Sequence, residues 1–236
     1  DTDFSTDPSD VHSERADVDY LLQVLKSYFP SSNVTVNDIL SSYSGVRPLV
    51  KDDSDNPNAT SREHLIFKDP MGITHVTGGK YTTYRKMAED AVHAMLKDLP
   101  YEKRVEFKSS RTLEPINDLV TEAGYREFIS QDRTGEEKKL AERYGPEALV
   151  ILRPHAKYSL LQREVAFHIE STMCLSIPDF YIRRSNLFLY HRDHGLSKFE
   201  EISQVFKDKL GYSDKQIGTD LETLHETIKK EMGWKN

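Results

Sequence analysis

Residues 78–85, GGKYTTYR, follow a short β-branched stretch, Ile73-Thr74-His75-Val76, and run straight into KMAEDAVHAML (86–96). Two adjacent glycines lack the Cβ that disfavours positive φ, so the backbone can bend there and approach another group closely. From Thr82 to Leu99 the residues Tyr84, Met87, Ala88, Ala91, Met95 and Leu99 recur at helical spacing. This predicts a helix with one buried face and with Arg85, Lys86, Glu89, Asp90 and His93 toward water. Upstream, HLIFKD (64–69) and GITHVT (72–77) flank Pro70-Met71-Gly72 and predict an antiparallel hairpin whose second strand delivers the glycine pair. The stretch is therefore a strand-to-helix junction. The amides of Lys80 to Thr83 would point outward there and, with the helix dipole, favour negative charge; Lys80 adds a full positive charge. The spacing is not that of a P-loop, and a plain Gly-Gly turn with Thr82 or Thr83 as N-cap accounts for the same residues.

Further upstream, VTVNDILSSYSGVRPLV (34–50) alternates and is β-branched enough to predict a strand that stops at Pro48. Arg47 would then stand at a strand end, where its planar fork suits a phosphate or carboxylate, although a surface arginine is the ordinary outcome. A third cation, Arg62, lies in TSREH (60–64), so three short segments offer Arg47, Arg62 and Lys80 to one pocket; spacing alone does not bring them together. Before these, Ser13 or Asp17 can cap a helix through DVDYLLQVLKSYF (17–29), ended by Pro30, with Val18, Leu21, Leu22, Val24, Leu25 and Phe29 on one face. After EKRVEFKSSRTLEPI (102–116) the patterns are helical almost throughout, from DLVTEAGYREFIS (118–130) to TDLETLHETIKKEMG (219–233), without a repeat of fixed period. The expected fold class is α+β, with antiparallel strands in residues 1–108 and an all-helical domain in 109–236.

The 236 residues, 37% hydrophobic and 30% charged, are enough to bury one large core or two modest ones. A net charge of −7 argues against a general nucleic-acid binder, since no basic stretch would release counterions along a phosphate backbone. One cysteine, Cys174, excludes an internal disulfide and any multi-cysteine metal site. No apolar run reaches the roughly 20 residues that cross a membrane as a helix. The opening DTDFSTDPSD, without a methionine and in a polar loop, is expected to continue a longer protein.

Other features draw weaker expectations. His191 and His194 in HRDHG could form a metal pair but have no further ligands at a fitting spacing, so no metal site is expected. Arg183-Arg184 fits a helix-end cation pair, a contact site or a solvated surface. His168 and Cys174 are expected in the core or at its boundary. Lys229, Lys230 and Lys235 surround Trp234 in a tail expected to fray, with a membrane-interface contact as the alternative.

Taken in order, SGVRPL (44–49), TSREH and GGKYTTYRKMAEDAV (78–92) closely resemble the FAD-dependent glycerol-3-phosphate dehydrogenases, the aerobic, quinone-linked family. DTDF (1–4) and ADVDYLLQVLKSYFP (16–30) also resemble that family, and the helical tail is compatible with its C-terminal helical domain. The resemblance implies that residues 1–108 close an FAD- and substrate-binding domain and that 109–236 form the helical one. It implies oxidation of sn-glycerol 3-phosphate to dihydroxyacetone phosphate, hydride passing to FAD and electrons to a membrane quinone. It places Gly78, Gly79, Lys80, Tyr81 and Thr82 against FAD. Arg47, Arg62 and Lys80 would bind the substrate, with Arg47 and Lys80 in the catalytic site. It implies peripheral contact with the cytoplasmic face of the cell membrane and allows a homodimer.

No GxGxxG occurs in the chain, and the family binds the ADP half of FAD through such a motif; the histidine that serves as its candidate proton acceptor also belongs upstream. The chain by itself is therefore expected to be inactive. Two other readings stay open: a glycerol-3-phosphate oxidase that passes electrons to oxygen, and a noncatalytic helical interaction module.

Overall fold

The computed structural model describes residues 4–47, 63–101, 127, 130–131 and 135–235. It divides into two compact units that do not follow chain order: Asp1–Gly45 goes with Glu114–Asn236, and Val46–Leu113 forms the other. The α+β class holds, as a small antiparallel sheet and a larger helical body.

In the smaller unit, β1 (His64–Lys68) pairs antiparallel with β2 (Thr74–Gly78), Ile66 opposite Val76. Asp69 makes the turn specific. Its carboxylate accepts from the amides of Met71 and Ile73, both at 2.9 Å, and Gly72 takes φ +86°. Because partners share a face, His64, Ile66 and Lys68 lie on one side with Gly78, Val76 and Thr74, and Leu65 and Phe67 lie on the other with Thr77 and His75. The first side carries α2 (Tyr84–Leu96): His64 Nε2 meets Asp90 at 3.0 Å, and Lys68 pairs with Asp98, just past the helix, at 2.9 Å.

The helix forms as the sequence predicts but turns a different face to its neighbours. Met87, Asp90, Ala91 and Ala94 are half-buried, whereas Tyr84 and Met95 are each 53% exposed. Two effects decide this. The ion pairs of Asp90 and Asp98 select the side that meets the strands, and a two-stranded sheet is too narrow to cover a wider apolar stripe.

In the helical body, α1 (Arg15–Tyr28) starts at a capping box of Glu14 and Asp17. Its buried face is narrower than the sequence implied: Val18 is buried, while Leu21 and Phe29 are exposed. Downstream come α3 (Gly135–Tyr144), α4 (Ala148–Ile151), α5 (Leu160–Ser171), α6 (Ile177–Asp179), α7 (Leu187–Tyr190), α8 (Phe199–Leu210) and α9 (Asp214–Glu231). The DLVTEAGYREFIS helix falls largely outside the described residues. Helix α5 is the shared wall of two cores. Val165 and Ala166 join Ile177, Phe180, Tyr181, Ile202, Val205, Phe206 and Leu224 on one side. Phe167 joins Leu140, Ala141, Ala148 and Ile151 on the other. Each large apolar side chain so buried contributes about 1.5–3 kcal/mol relative to exposure.

The strand expected over 34–50 is absent from its described part. Val36–Asp38 is a 3-10 turn closed by Thr35 and Asp38, and 39–47 runs extended without a ladder. Its polar groups find partners on the helical body instead: Ser41 Oγ donates to Leu189 O at 2.7 Å, Ser42 Oγ donates to Glu231 O, and Ile39 O accepts from Lys235 Nζ at 2.9 Å. Hydroxyls at successive positions thus tie the segment to carbonyls of the helical body, in place of a ladder. The tail does not fray, because Trp234 is buried at 4% exposure and donates its Nε1 proton to Ser42 Oγ at 2.9 Å.

Candidate functional site

The strand-to-helix junction is built around two glycines in left-handed conformations, Gly78 at φ +75° and Gly79 at φ +82°. Gly79 is required twice over. A side chain there would be strained at that φ, and its Cβ would stand 2.5 Å from Met87 Sδ and 3.2 Å from His64 Cβ. Helix, strand and turn therefore meet at a point with no room for a methyl group. The chain leaves it through Lys80, extended at φ −137°, into a 3-10 turn over Tyr81–Thr83 that continues as α2.

Thr83 closes the turn backward. Its amide donates to Lys80 O at 3.0 Å, and its hydroxyl accepts from the Lys80 amide at 3.3 Å and donates to Lys80 O at 3.0 Å. The sequence offered four outward amides; those of Lys80 and Thr83 are taken by the turn itself. The amides of Tyr81 and Thr82 remain in the first turn, where helix geometry supplies no acceptor. Nor does Thr83 act as an ordinary side-chain N-cap, since its hydroxyl makes no capping bond to α2. Lys80, Tyr81 and Thr82 are all exposed, Tyr81 by 92%. The junction thus offers a bent backbone, two amides and an ammonium group, a donor set that fits an anion-bearing edge of a planar ligand.

Of the other expected cations, Arg47 is exposed in the extended segment just past Gly45, not at the end of a strand. Arg62 lies outside the described residues. The HRDHG segment is accounted for as a turn. Asp193 accepts from the amides of Gly195 and Ser197, both at 3.0 Å, and hydrogen bonding from Ser197 holds its carboxyl down at about 2. His194 is buried against Phe188 and bonds Phe188 O at 3.0 Å through Nδ1. Among the described residues no three His, Cys, Asp or Glu side chains are grouped to hold a metal, and no helix is long and apolar enough to cross a membrane.

Comparison with known proteins shows what the chain is similar to. Residues 117–217 match the C-terminal domain of alpha-glycerophosphate oxidase. The chain is 28% identical, over an alignment of 250 positions, to the aerobic glycerol-3-phosphate dehydrogenase of Staphylococcus aureus strain bovine RF122 / ET3-1, covering 98% of this chain and 45% of that protein. Residues 117–217 thus resemble that C-terminal domain, and nearly the whole chain is similar to an aerobic glycerol-3-phosphate dehydrogenase. The enzyme of the same name from Staphylococcus saprophyticus is also 28% identical, over 91% of this chain and 42% of its own length. The X-ray structure of the glycerol-3-phosphate dehydrogenase from Bacillus halodurans complexed with FAD superimposes with a TM-score of 0.70 at 22% identity, over 97% of this chain and 47% of that one. That likeness establishes the fold. The chain spans less than half the length of the curated relatives it matches.

Within the matched segment lies a buried polar chain of groups that the sequence did not announce. Glu164 and His168, each 6% exposed, sit on α5 one turn apart. Tyr144 Oη donates to Glu164 Oε1 at 2.6 Å and lies 2.8 Å from His168 Nε2. Tyr144 has one hydroxyl proton for these two bonds, and the His168 ring is neutral near pH 7 because burial disfavours its charged form. His168 Nδ1 lies 3.0 Å from Thr172 Oγ1, which donates to His168 O at 3.0 Å and accepts from Arg184 Nη1 at 3.0 Å, and Arg184 Nε donates to Asp179 at 2.8 Å. Arg143 completes the other end, 3.0 Å from Glu164.

The two arginines of the RRS segment therefore differ. Arg184 is bound within this chain of groups, while Arg183 stays 68% exposed beside Asp179. His168 is a core residue as expected, with two polar partners for its ring, Tyr144 and Thr172, rather than none. The usable signal was spacing: Glu164, just before the stretch VAFHI (165–169), lies four residues from His168 and so on the same helix face.

Burial, reinforced by Arg184 and Arg143, pushes His168 down to about 4, and burial pushes the Glu164 carboxyl up. The two act in opposite senses. The unfolded chain protonates His168 near its ordinary value while the folded one does not, so that contribution to stability is complete above about pH 6.5 and is lost as pH falls toward 4. Glu164 holds its proton longer when folded, so its contribution weakens as pH rises above its ordinary range. A His168→Gln variant isolates the first: its stability deficit relative to wild type, measured by denaturant titration, is expected to be larger at pH 7 than at pH 5. An equal deficit at both would contradict the neutral assignment.

Proposed function

We propose that the intact protein is a flavoenzyme that oxidises sn-glycerol 3-phosphate to dihydroxyacetone phosphate with FAD as cofactor and passes the electrons to a membrane quinone. The reading rests on SGVRPL, TSREH and GGKYTT occurring in that order within a chain similar to an aerobic glycerol-3-phosphate dehydrogenase over nearly its whole length. Its physical support is the Gly78–Thr82 junction, whose bent backbone, first-turn amides and exposed lysine suit a negatively charged neighbour. The division into residues 1–108, closing the FAD- and substrate-binding domain, and 109–236, the helical domain, belongs to the same proposal. It describes lineage, whereas the compact units group residues 1–45 with the helices.

FAD, when bound, supplies the two-electron acceptor. The chain's own residues do the rest of what is assigned to this half. Gly78 and Gly79 would let the backbone come close to FAD, and the amides of Tyr81 and Thr82 would help to stabilise its negative charge. Arg47, Arg62 and Lys80 hold the phosphate and fix the hydroxyl carbon in a reactive position. The cofactor's ADP half and the proton acceptor are assigned to residues outside this chain. We accordingly expect the isolated chain to lose FAD on gel filtration and to show no turnover. Stoichiometric flavin after the column would contradict that assignment.

Two readings of the electron acceptor follow from the names of the relatives, one an oxidase and the others dehydrogenases. Quinone is the acceptor proposed, with the enzyme attached peripherally to the cytoplasmic face of the membrane and a homodimer as its assembly. Oxygen uptake by the intact protein, with and without a quinone analogue, separates the two. Slow uptake together with fast quinone reduction is expected, and rapid uptake with peroxide formation would make it an oxidase.

A further inference from the structure

We propose that His64 and Asp90 clamp the strand-to-helix junction and are positioning residues for the amides of Tyr81 and Thr82. The inference rests on the reading of this junction as facing FAD. Its own basis lies within the smaller unit, in the way β1 is fastened to α2.

The junction needs fastening because of the residues that make it. Gly78 and Gly79 sit side by side at φ +75° and +82°, and glycine, without a Cβ, moves among backbone conformations more readily than any other residue. Two such positions in series leave the angle between β2 and α2 undecided by the backbone. Thr83 closes only the turn beyond them, back onto Lys80. Contacts between the strand pair and the helix have to set the angle.

His64 makes such a contact where it bears most directly on the glycines. In the ladder it stands opposite Gly78, the last residue of β2. Its ring reaches the helix: Nε2 lies 3.0 Å from Asp90 Oδ2, in the second turn of α2. The other carboxylate oxygen, Oδ1, accepts from Lys86 Nζ at 2.8 Å, and the bonds from Lys86 and then His64 hold the Asp90 carboxyl below its ordinary range. An ionised carboxylate only accepts, so the proton of the His64–Asp90 bond is on Nε2. Strand end, turn and helix thus form a closed loop with this bond as its latch, packed at Gly79 by Met87 and the His64 Cβ. The second strand-to-helix pair, Lys68 with Asp98 at 2.9 Å, joins the far end of β1 to the residues just past α2. Opening the latch lets the 3-10 turn and α2 swing about the two glycines. The amides of Tyr81 and Thr82 are then less well aligned with the negative charge they are assigned to stabilise.

The test uses the intact, FAD-loaded protein and two readouts. Hydrogen–deuterium exchange of the amides of residues 80–83 reports the junction without turnover, and the limiting rate of anaerobic flavin bleaching at saturating sn-glycerol 3-phosphate reports the chemistry. His64→Ala and Asp90→Ala are each expected to speed the exchange and slow the bleaching by about 2- to 12-fold, the range that one net hydrogen bond represents. The double variant should be no slower than the slower single one, because both substitutions remove the same bond. His64→Gln, whose side-chain amide can donate from a similar position, should restore both readouts. Asp98→Ala, which breaks the far pair, should leave both at wild-type values. Unchanged exchange, or faster exchange beside unchanged bleaching, would overturn the clamp's role. So would additive losses in the double variant, no recovery in His64→Gln, or an equal effect of Asp98→Ala. No bleaching in the wild type would instead overturn the flavin reading on which the clamp's role rests.

Discussion

Replacing Lys80 by alanine in the intact protein is expected to lower kcat/KM for sn-glycerol 3-phosphate by about one to two orders of magnitude, with the fold and Tm unchanged. The size follows from the loss of a charge-assisted hydrogen bond, about 1.5–3 kcal/mol, at about 1.4 kcal/mol per factor of ten. The absence of a stability effect follows from exposure: the Lys80 side chain is outside the packed region, and the turn is closed by its backbone together with Thr83. Lys80→Arg keeps the charge but replaces a compact ammonium with a planar fork, so partial recovery is expected. A Lys80→Ala enzyme with wild-type kcat/KM would favour the reading in which the helical body is an interaction module and the junction an ordinary turn.

Tyr144→Phe is expected to cost about 2–5 kcal/mol of stability, although it removes a single oxygen atom. That oxygen donates to Glu164 and is hydrogen-bonded to His168 Nε2, both residues buried, so its loss leaves two polar groups without this partner at about 1–3 kcal/mol each. Arg143 still faces the carboxylate, which keeps the loss at the lower part of that range. Denaturant unfolding of the intact protein gives the value directly from the shift of the midpoint. A change under about 0.5 kcal/mol, the ordinary effect of a surface substitution, would mean that the polar chain from Arg143 to Asp179 is dispensable for stability.

The hairpin, the glycine junction and most helices were legible because each is decided locally. Asp69-Pro-Met-Gly carries its own turn chemistry, and Ser159 and Ser213 announce α5 and α9 with capping boxes. Elements decided by long-range partners were not legible. The 34–50 stretch has a strand's composition, yet the carbonyls that take its Ser41 and Ser42 hydroxyls lie some 150 to 190 residues away on Leu189 and Glu231. Trp234 looked like a tail residue for the same reason, since its partner Ser42 is near the other end of the chain. The face of α2 was misjudged because apolar spacing was weighted above the two aspartates that pair with the hairpin.

The candidate site was legible as chemistry and only partly as geometry. Glycines at 78 and 79 were expected to take positive φ, and both do. That Thr83 would turn back onto Lys80, reducing the outward amides from four to two, depends on a side-chain torsion that spacing does not encode. The polar chain through Tyr144, Glu164 and His168 draws on separate helices, and only the four-residue spacing of Glu164 and His168 pointed toward it.

The most direct test is anaerobic mixing of the intact, FAD-loaded protein with sn-glycerol 3-phosphate, following the visible absorbance of the flavin, because this half-reaction is independent of any electron acceptor. Bleaching in the wild type, slowed at least tenfold in both Lys80→Ala and Arg47→Ala at subsaturating substrate, is the predicted result. No bleaching in the wild type, or bleaching at the same rate in the two variants, would contradict the assignment of this chain to the cationic wall of a glycerol-3-phosphate oxidising site.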